Sequence, residues 1–233
     1  MPEPTGTADL ADDIASRLAH ARARIADACA RVGRDPADVT LVGATKSVPP
    51  ERIAVALAAG LGDVGENYVG ELRTKQPLLP DATWHFIGTL QAGTARHVAA
   101  HADVVETLAP GSAPVRLSAR LAALGRTVPC LIEVDLTGER PGVAPEDLLA
   151  FADRMAGLPG IRLVGLMTLP PAEPDPEAAR PFFRRLRALR DTLRETHPEV
   201  LALSMGMSLD YTVAVEEGAT MVRLGTALFG GRR

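Results

Sequence analysis

Three short stretches carry residue types that could do chemistry together. In "LVGATKSVPP" (41–50) an apolar run ends in Lys46. Lysine is strongly hydrated and is rarely left at the end of a core segment without a purpose. "LSMGMS" (203–208) sets Ser204, Gly206 and Ser208 at a turn, and "RLGTA" (223–227) brings Gly225 and Thr226 after Arg223. Small residues at such turns let backbone N–H groups face an anion, and a helix start behind them favours negative charge. The chemistry implied is an amine beside a phosphate pocket. A sheltered lysine is partly desolvated, which favours its neutral amine. Such an amine can form a Schiff base with a phosphorylated aldehyde, and pyridoxal 5'-phosphate (PLP) is the commonest ligand of that kind. The plainer reading is a snorkelling rim lysine and two ordinary glycine turns; either turn alone is a weak signal, and the two together favour phosphate.

Arg223 lies two residues before Gly225, on the same face of its segment. It could meet a pyridine nitrogen, where it would donate a hydrogen bond and supply no proton. The ring would then be a poor electron sink. The alternative is a structural ion pair with Glu66 or Asp210.

These residues need elements to bring them together. Leu10, Ile14, Leu18, Ile25 and Val32 recur at helical spacing, and Gly33 supplies a stop. Eight short apolar segments follow, alternating with helical stretches: 39–45, 63–67, 83–88, 103–108, 128–136, 161–169, 200–205 and 220–227. Continuous apolar strands joined by helical crossovers imply a parallel sheet covered on both faces. Eight repeats point to an α/β fold, a single (β/α)8 TIM barrel with an extra N-terminal helix. Residues 1–8 are expected to be disordered, and 9–233 to form the barrel. The chain ends soon after the eighth strand, so the first helix is expected to fill the gap in the outer ring. Lys46, Glu66 to Tyr68, His85 to Thr89, Met167 and Thr168, Ser204 to Ser208 and Arg223 to Thr226 then fall near C-terminal strand ends, where barrels carry their sites. The last two groups follow strands seven and eight, a common phosphate position. Ser208 is expected to cap the helix after strand seven.

Composition narrows the function. The 233 residues are 46% hydrophobic but only 3% aromatic, so the core must be largely aliphatic. A net charge of −4 gives no global field for nucleic acid. The arginines between 180 and 194 share a helix with Phe182, Phe183, Leu186, Leu189 and Leu193, which makes them its solvated side. Cys29 and Cys130 form no C-x-x-C pair, and no leader or membrane-length run is present, so a cytoplasmic protein is expected. His97 and His101 lack a third ligand, so no metal site is expected.

The stretches "LVGATKSVPPERI", "GENYVGEL", "WHFIGTLQ", "GLMTLPP" and "LSMGMSLDYTVAVEEGATMVRLGTALFG" resemble the pyridoxal phosphate homeostasis protein family. Its members look like the isolated barrel of fold-type III enzymes such as alanine racemase. The resemblance implies PLP held as a Schiff base on Lys46, phosphate contacts from Ser204, Gly225 and Thr226, and Arg223 toward the ring nitrogen. It places Asn67 and Met207 close to the cofactor. It implies a carrier or regulator in vitamin B6 and amino-acid homeostasis, with apo PLP enzymes as potential acceptors. The family's usual histidine and Asn-Lys pair are replaced here by Thr89, Gly93 and Thr94, and the loop after strand five is shorter. A low-activity amino-acid racemase is the alternative, with Tyr68, Tyr211, His85 and Cys130 as candidate second bases. Without the racemases' second domain, a monomer is expected.

Overall fold

The computed structural model describes residues 7–231. Eight parallel strands close into a barrel in chain order: β1 (Thr40–Ala44), β2 (Asp63–Glu66), β3 (Thr83–Phe86), β4 (Val104–Leu108), β5 (Val128–Glu133), β6 (Ile161–Met167), β7 (Ala202–Ser204) and β8 (Met221–Leu224). β1 pairs with β8, setting Val42 level with Arg223 and bringing the Lys46 loop beside the Gly225 loop. The surrounding helices are α1 (Thr7–Arg31), α2 (Pro50–Ala58), α3 (Val69–Lys75), α4 (Ala95–His101), α5 (Ala113–Ala123), α6 (Leu148–Ala156), α7 (Arg180–Leu193), α8 (Tyr211–Glu216) and α9 (Thr226–Phe229).

Most of the apolar core lies between strands and helices, with Trp84, Phe86, Ile132, Leu166 and Leu203 buried there. A second, small apolar cluster of Val104, Leu131 and Met167 is separate from this core. The polar groups of the interior are described with the site. α1 buries Ile14, Leu18, Ala21, Ile25, Ala28 and Cys29, and packs against α2, α8 and α9. It closes the outer ring, as its apolar stripe predicts.

Several expectations are corrected. A one-turn helix, α9, does follow β8, because Gly225 ends the strand three residues earlier than the apolar pattern suggests. β7 keeps only three residues, Ala202–Ser204. Ser208 does not cap α8. Asp210 precedes that helix, and its carboxylate accepts instead from the Met207 amide at 2.6 Å. Of the residues expected to be disordered, Thr7 and Ala8 belong to α1, and the others lie outside the described residues.

Candidate active site at the barrel mouth

Lys46 follows β1 in a tight turn closed by the Val48 amide donating to the Thr45 carbonyl at 2.9 Å. Its side chain is half-buried, with the ammonium 4.8 Å from the centre of the Tyr68 ring. Tyr68 immediately precedes α3. That helix also sends Lys75 beneath the turn, where its amine donates to the Thr45 carbonyl and to Glu66, each at 2.8 Å. Glu66 also accepts from the Thr45 hydroxyl at 2.9 Å and from the Asn67 amide at 3.0 Å. Asn67 is seated from the other side by Gly88. A Cβ at Gly88 would lie 1.9 Å from the Asn67 carbonyl oxygen, so only glycine allows this approach. The ends of β1, β2 and β3 are thereby locked together around Lys46.

Arg223 points into the barrel and is 4% exposed. Its guanidinium donates to the Ser204 hydroxyl and, at 2.9 Å, to the Thr168 carbonyl at the end of β6. Two of its five N–H donors are thus used. Ser204 donates in turn to Glu106 at 2.5 Å. Glu106 also meets His85 Nδ1 at 2.7 Å, and His85 Nε2 meets Asp63 at 3.1 Å. The chain Arg223–Ser204–Glu106–His85–Asp63 runs from the mouth toward the opposite face, alternating in charge. Burial opposes a charge on His85, but hydrogen bonds to Asp63 and Glu106 outweigh it and push the imidazole up to about 9. Burial would likewise raise Glu106, yet the His85 bond and the nearby Arg223 hold it below the usual carboxylate range. A fully connected buried network of this kind fixes each member's orientation, because breaking one bond strands a charge.

Between these groups lie the loops after β7 and β8. Gly206 has φ +95°, and a Cβ there would meet that of Ala214 at 2.6 Å, so the 205–208 loop can fold only around glycine. The Ser208 hydroxyl accepts from the Ala227 amide at 3.2 Å, which joins the two loops. Among the described residues, the amides of Ser208, Gly225 and Thr226 donate to no protein acceptor. Met207, Ser208 and Gly225 are half-buried and Thr226 is exposed. Three spare donors at one spot suit a multiply charged oxyanion.

The structure brings Lys46, Asn67, Met207, Gly225 and Thr226 to the mouth and Arg223 to its floor. The Ser204 side chain is fully buried between Arg223 and Glu106, so its hydroxyl bonds to them rather than facing the loop amides. Arg223 is paired through Glu106, at 3.7 Å, while Glu66 is taken by Lys75. Three of the candidate second bases lie elsewhere. His85 sits within the interior chain; Tyr211 is buried with Arg24 over its ring; Cys130 is buried, its thiol pushed up to about 12 by desolvation. Tyr68 alone of the four is at the mouth, half exposed.

Sequence reasoning missed Lys75, Glu71 and Glu106, and also Glu133. Glu133 ends β5 level with Met167, is 5% exposed and has no hydrogen-bond partner for its carboxyl among the described residues. Desolvation raises its pKa, opposed by Arg140 and Arg223. The charged pair Glu71 and Lys75, four apart on a helix next to the lysine loop, was the only available signal for the first two. Of the arginines expected to face solvent, Arg184, Arg185, Arg187 and Arg194 are exposed, whereas Arg180 is largely covered and bonds Glu177, Glu216 and Glu217. No cluster of metal-ligating side chains occurs among the described residues, and no helix there is long and apolar enough to cross a membrane.

A family model described as alanine racemase, N-terminal domain, matches residues 17–233. The pyridoxal phosphate homeostasis protein of Aquifex aeolicus is 41% identical over 222 residues, covering 93% of this chain and 97% of that protein. Its namesake in Escherichia coli K12 is 37% identical over 230 residues, covering 95% and 97%. PipY of Synechococcus elongatus, solved both without PLP and with PLP bound, superposes with a TM-score of 0.83 at 34% identity, over 93% of this chain and 100% of PipY. Clostridium difficile alanine racemase shares the fold, with a TM-score of 0.76 at 14% identity, and this chain spans 57% of it.

Proposed function

Because this chain belongs to the pyridoxal phosphate homeostasis protein family, we propose that it binds PLP at the barrel mouth and serves vitamin B6 homeostasis as a carrier or regulator. The observation that carries the reading is the β1–β8 pairing, which sets the Lys46 loop beside the loop whose Gly225 and Thr226 amides, with that of Ser208, donate to no acceptor among the described residues. These residues fit the group: an amine for its aldehyde, spare amides for its phosphate, and a buried guanidinium below for its ring. PLP supplies, when bound, an aldehyde that condenses with an amine and a ring able to withdraw electrons.

Lys46 is the point of covalent attachment. Ser208, Gly225 and Thr226 hold the phosphate, and Asn67 and Met207 line the ring. Arg223 donates an N–H to the ring nitrogen and supplies it with no proton, which favours holding the cofactor over carbanion chemistry. Ser204 contributes by fixing Arg223. The protein works as a cytoplasmic monomer, with apo PLP enzymes as candidate recipients.

An absorbance spectrum of the purified protein with PLP, taken before and after borohydride, tests this. A band lost on reduction, and a modified peptide containing Lys46, are expected from a sample of monomer mass. An adduct on any other lysine, or none, overturns the reading.

A further inference from the structure

We propose that α3 is the positioning element of Lys46, with Glu71 holding the turn that aims the amine and Lys75 bracing it from behind. The inference rests on the PLP-binding reading and concerns how the protein's own backbone prepares that site.

Lys46 and Ser47 are the two central residues of the turn closed by Val48 and Thr45. Ser47 has φ +61° and is the only non-glycine residue with positive φ among those described. A turn with positive φ at its third residue is where glycine or asparagine is usual, because a Cβ crowds the backbone there. A serine persists in such a conformation only when its surroundings over-determine it, and such strain gathers at functional positions.

The surroundings are specific. The Ser47 amide donates to Glu71 Oε2 at 2.9 Å. Lys75 donates to the same Glu71 oxygen at 2.5 Å, to Glu66 and to the Thr45 carbonyl. The residue before Lys46 and the residue after it are therefore both tied to one helix. Tyr68, over which the Lys46 ammonium lies, immediately precedes the same helix. Lys75 is 6% exposed and Glu66 fully buried, so this anchor is rigid. With the turn left-handed at Ser47, β1 stops at the mouth and Lys46 projects there. A relaxed turn would let the amine swing into solvent.

Lys75→Met would leave Glu66 buried without a partner and could unfold the chain, so Glu71→Ala is the informative variant. It removes the acceptor of the Ser47 amide and leaves the Lys75–Glu66 pair intact. In the cofactor-free protein, the Ser47 amide should exchange with deuterium faster than in the wild type. The rate of PLP uptake, followed by absorbance, should fall about tenfold with little change in the denaturation midpoint. Adding Ser47→Gly, which adopts positive φ without steric cost, should restore most of the lost rate. Wild-type uptake by Glu71→Ala, or no recovery in the double variant, overturns the inference. A wild-type protein that takes up no PLP overturns the underlying reading instead.

Discussion

At the residue scale, charge placement inside the barrel is the unusual feature. Glu106 and His85 are both buried; the bonds from His85 to Asp63 and Glu106 favour the imidazolium against burial, and His85 with Arg223 favours the Glu106 carboxylate. The histidine is raised above its ordinary value of 6.5 to about 9, so it binds its proton more tightly folded than unfolded. Its contribution to stability is therefore complete below pH 6.5 and is lost as pH climbs through 9. The denaturation midpoint should drop across that window, and His85→Gln should flatten the drop while lowering the midpoint at pH 6. A wild-type midpoint independent of pH between 6.5 and 9 would contradict the network. Glu106 has the opposite sign, stabilising above the usual carboxylate range and losing its effect on acidification.

At the element scale, the site is built by strand ends that touch one another through backbone. Gly88, after β3, lies against Asn67, after β2, and its carbonyl accepts from the Thr107 hydroxyl at 2.6 Å. Gly88→Ala should force these ends apart. Overpacking of this kind costs about 1–3 kcal/mol, and the clash is with backbone, which cannot rotate away. Urea titration should show the lowered midpoint, and PLP retention should fall with it because Asn67 moves. A variant with the wild-type midpoint would mean that the β2–β3 contact is looser than drawn. On α7, by contrast, Arg187 and Asp191 pair at 3.9 Å with both side chains about half exposed, and such a pair contributes little.

At the scale of the whole molecule, ring closure depends on the first helix. α1 fills the place where a helix after β8 would sit, since α9 is a single turn. It buries Ile14, Leu18 and Ile25 against neighbouring helices, and full burial of such a side chain is worth about 1.5–3 kcal/mol each. That total matches the whole margin of a typical domain. A chain beginning after Arg31 should therefore lose cooperative thermal unfolding and bind the apolar dye ANS. A sharp transition near the wild-type temperature would show that the helix is an accessory.

The amino-acid sequence determined the strand and helix order, the eight-fold count and the role of α1, because hydrophobic periodicity acts within a few residues. It also determined which loops reach the mouth, since strand ends are marked by Lys46, Asn67, Gly206 and Gly225 themselves. Only the tertiary structure decided what each polar side chain does. Ser204 meets Glu106 from 98 residues away, and that meeting depends on barrel closure and on strand register, neither of which leaves a local trace. Lys75 likewise reads as one charge on a helix surface until β1 is laid beside β2 and the Thr45 carbonyl comes within its reach. Apolar patterning is a sum over many interchangeable contacts, so it survives being read along a line. A buried hydrogen bond is a single directed contact, so its partner is known only when the chain is folded.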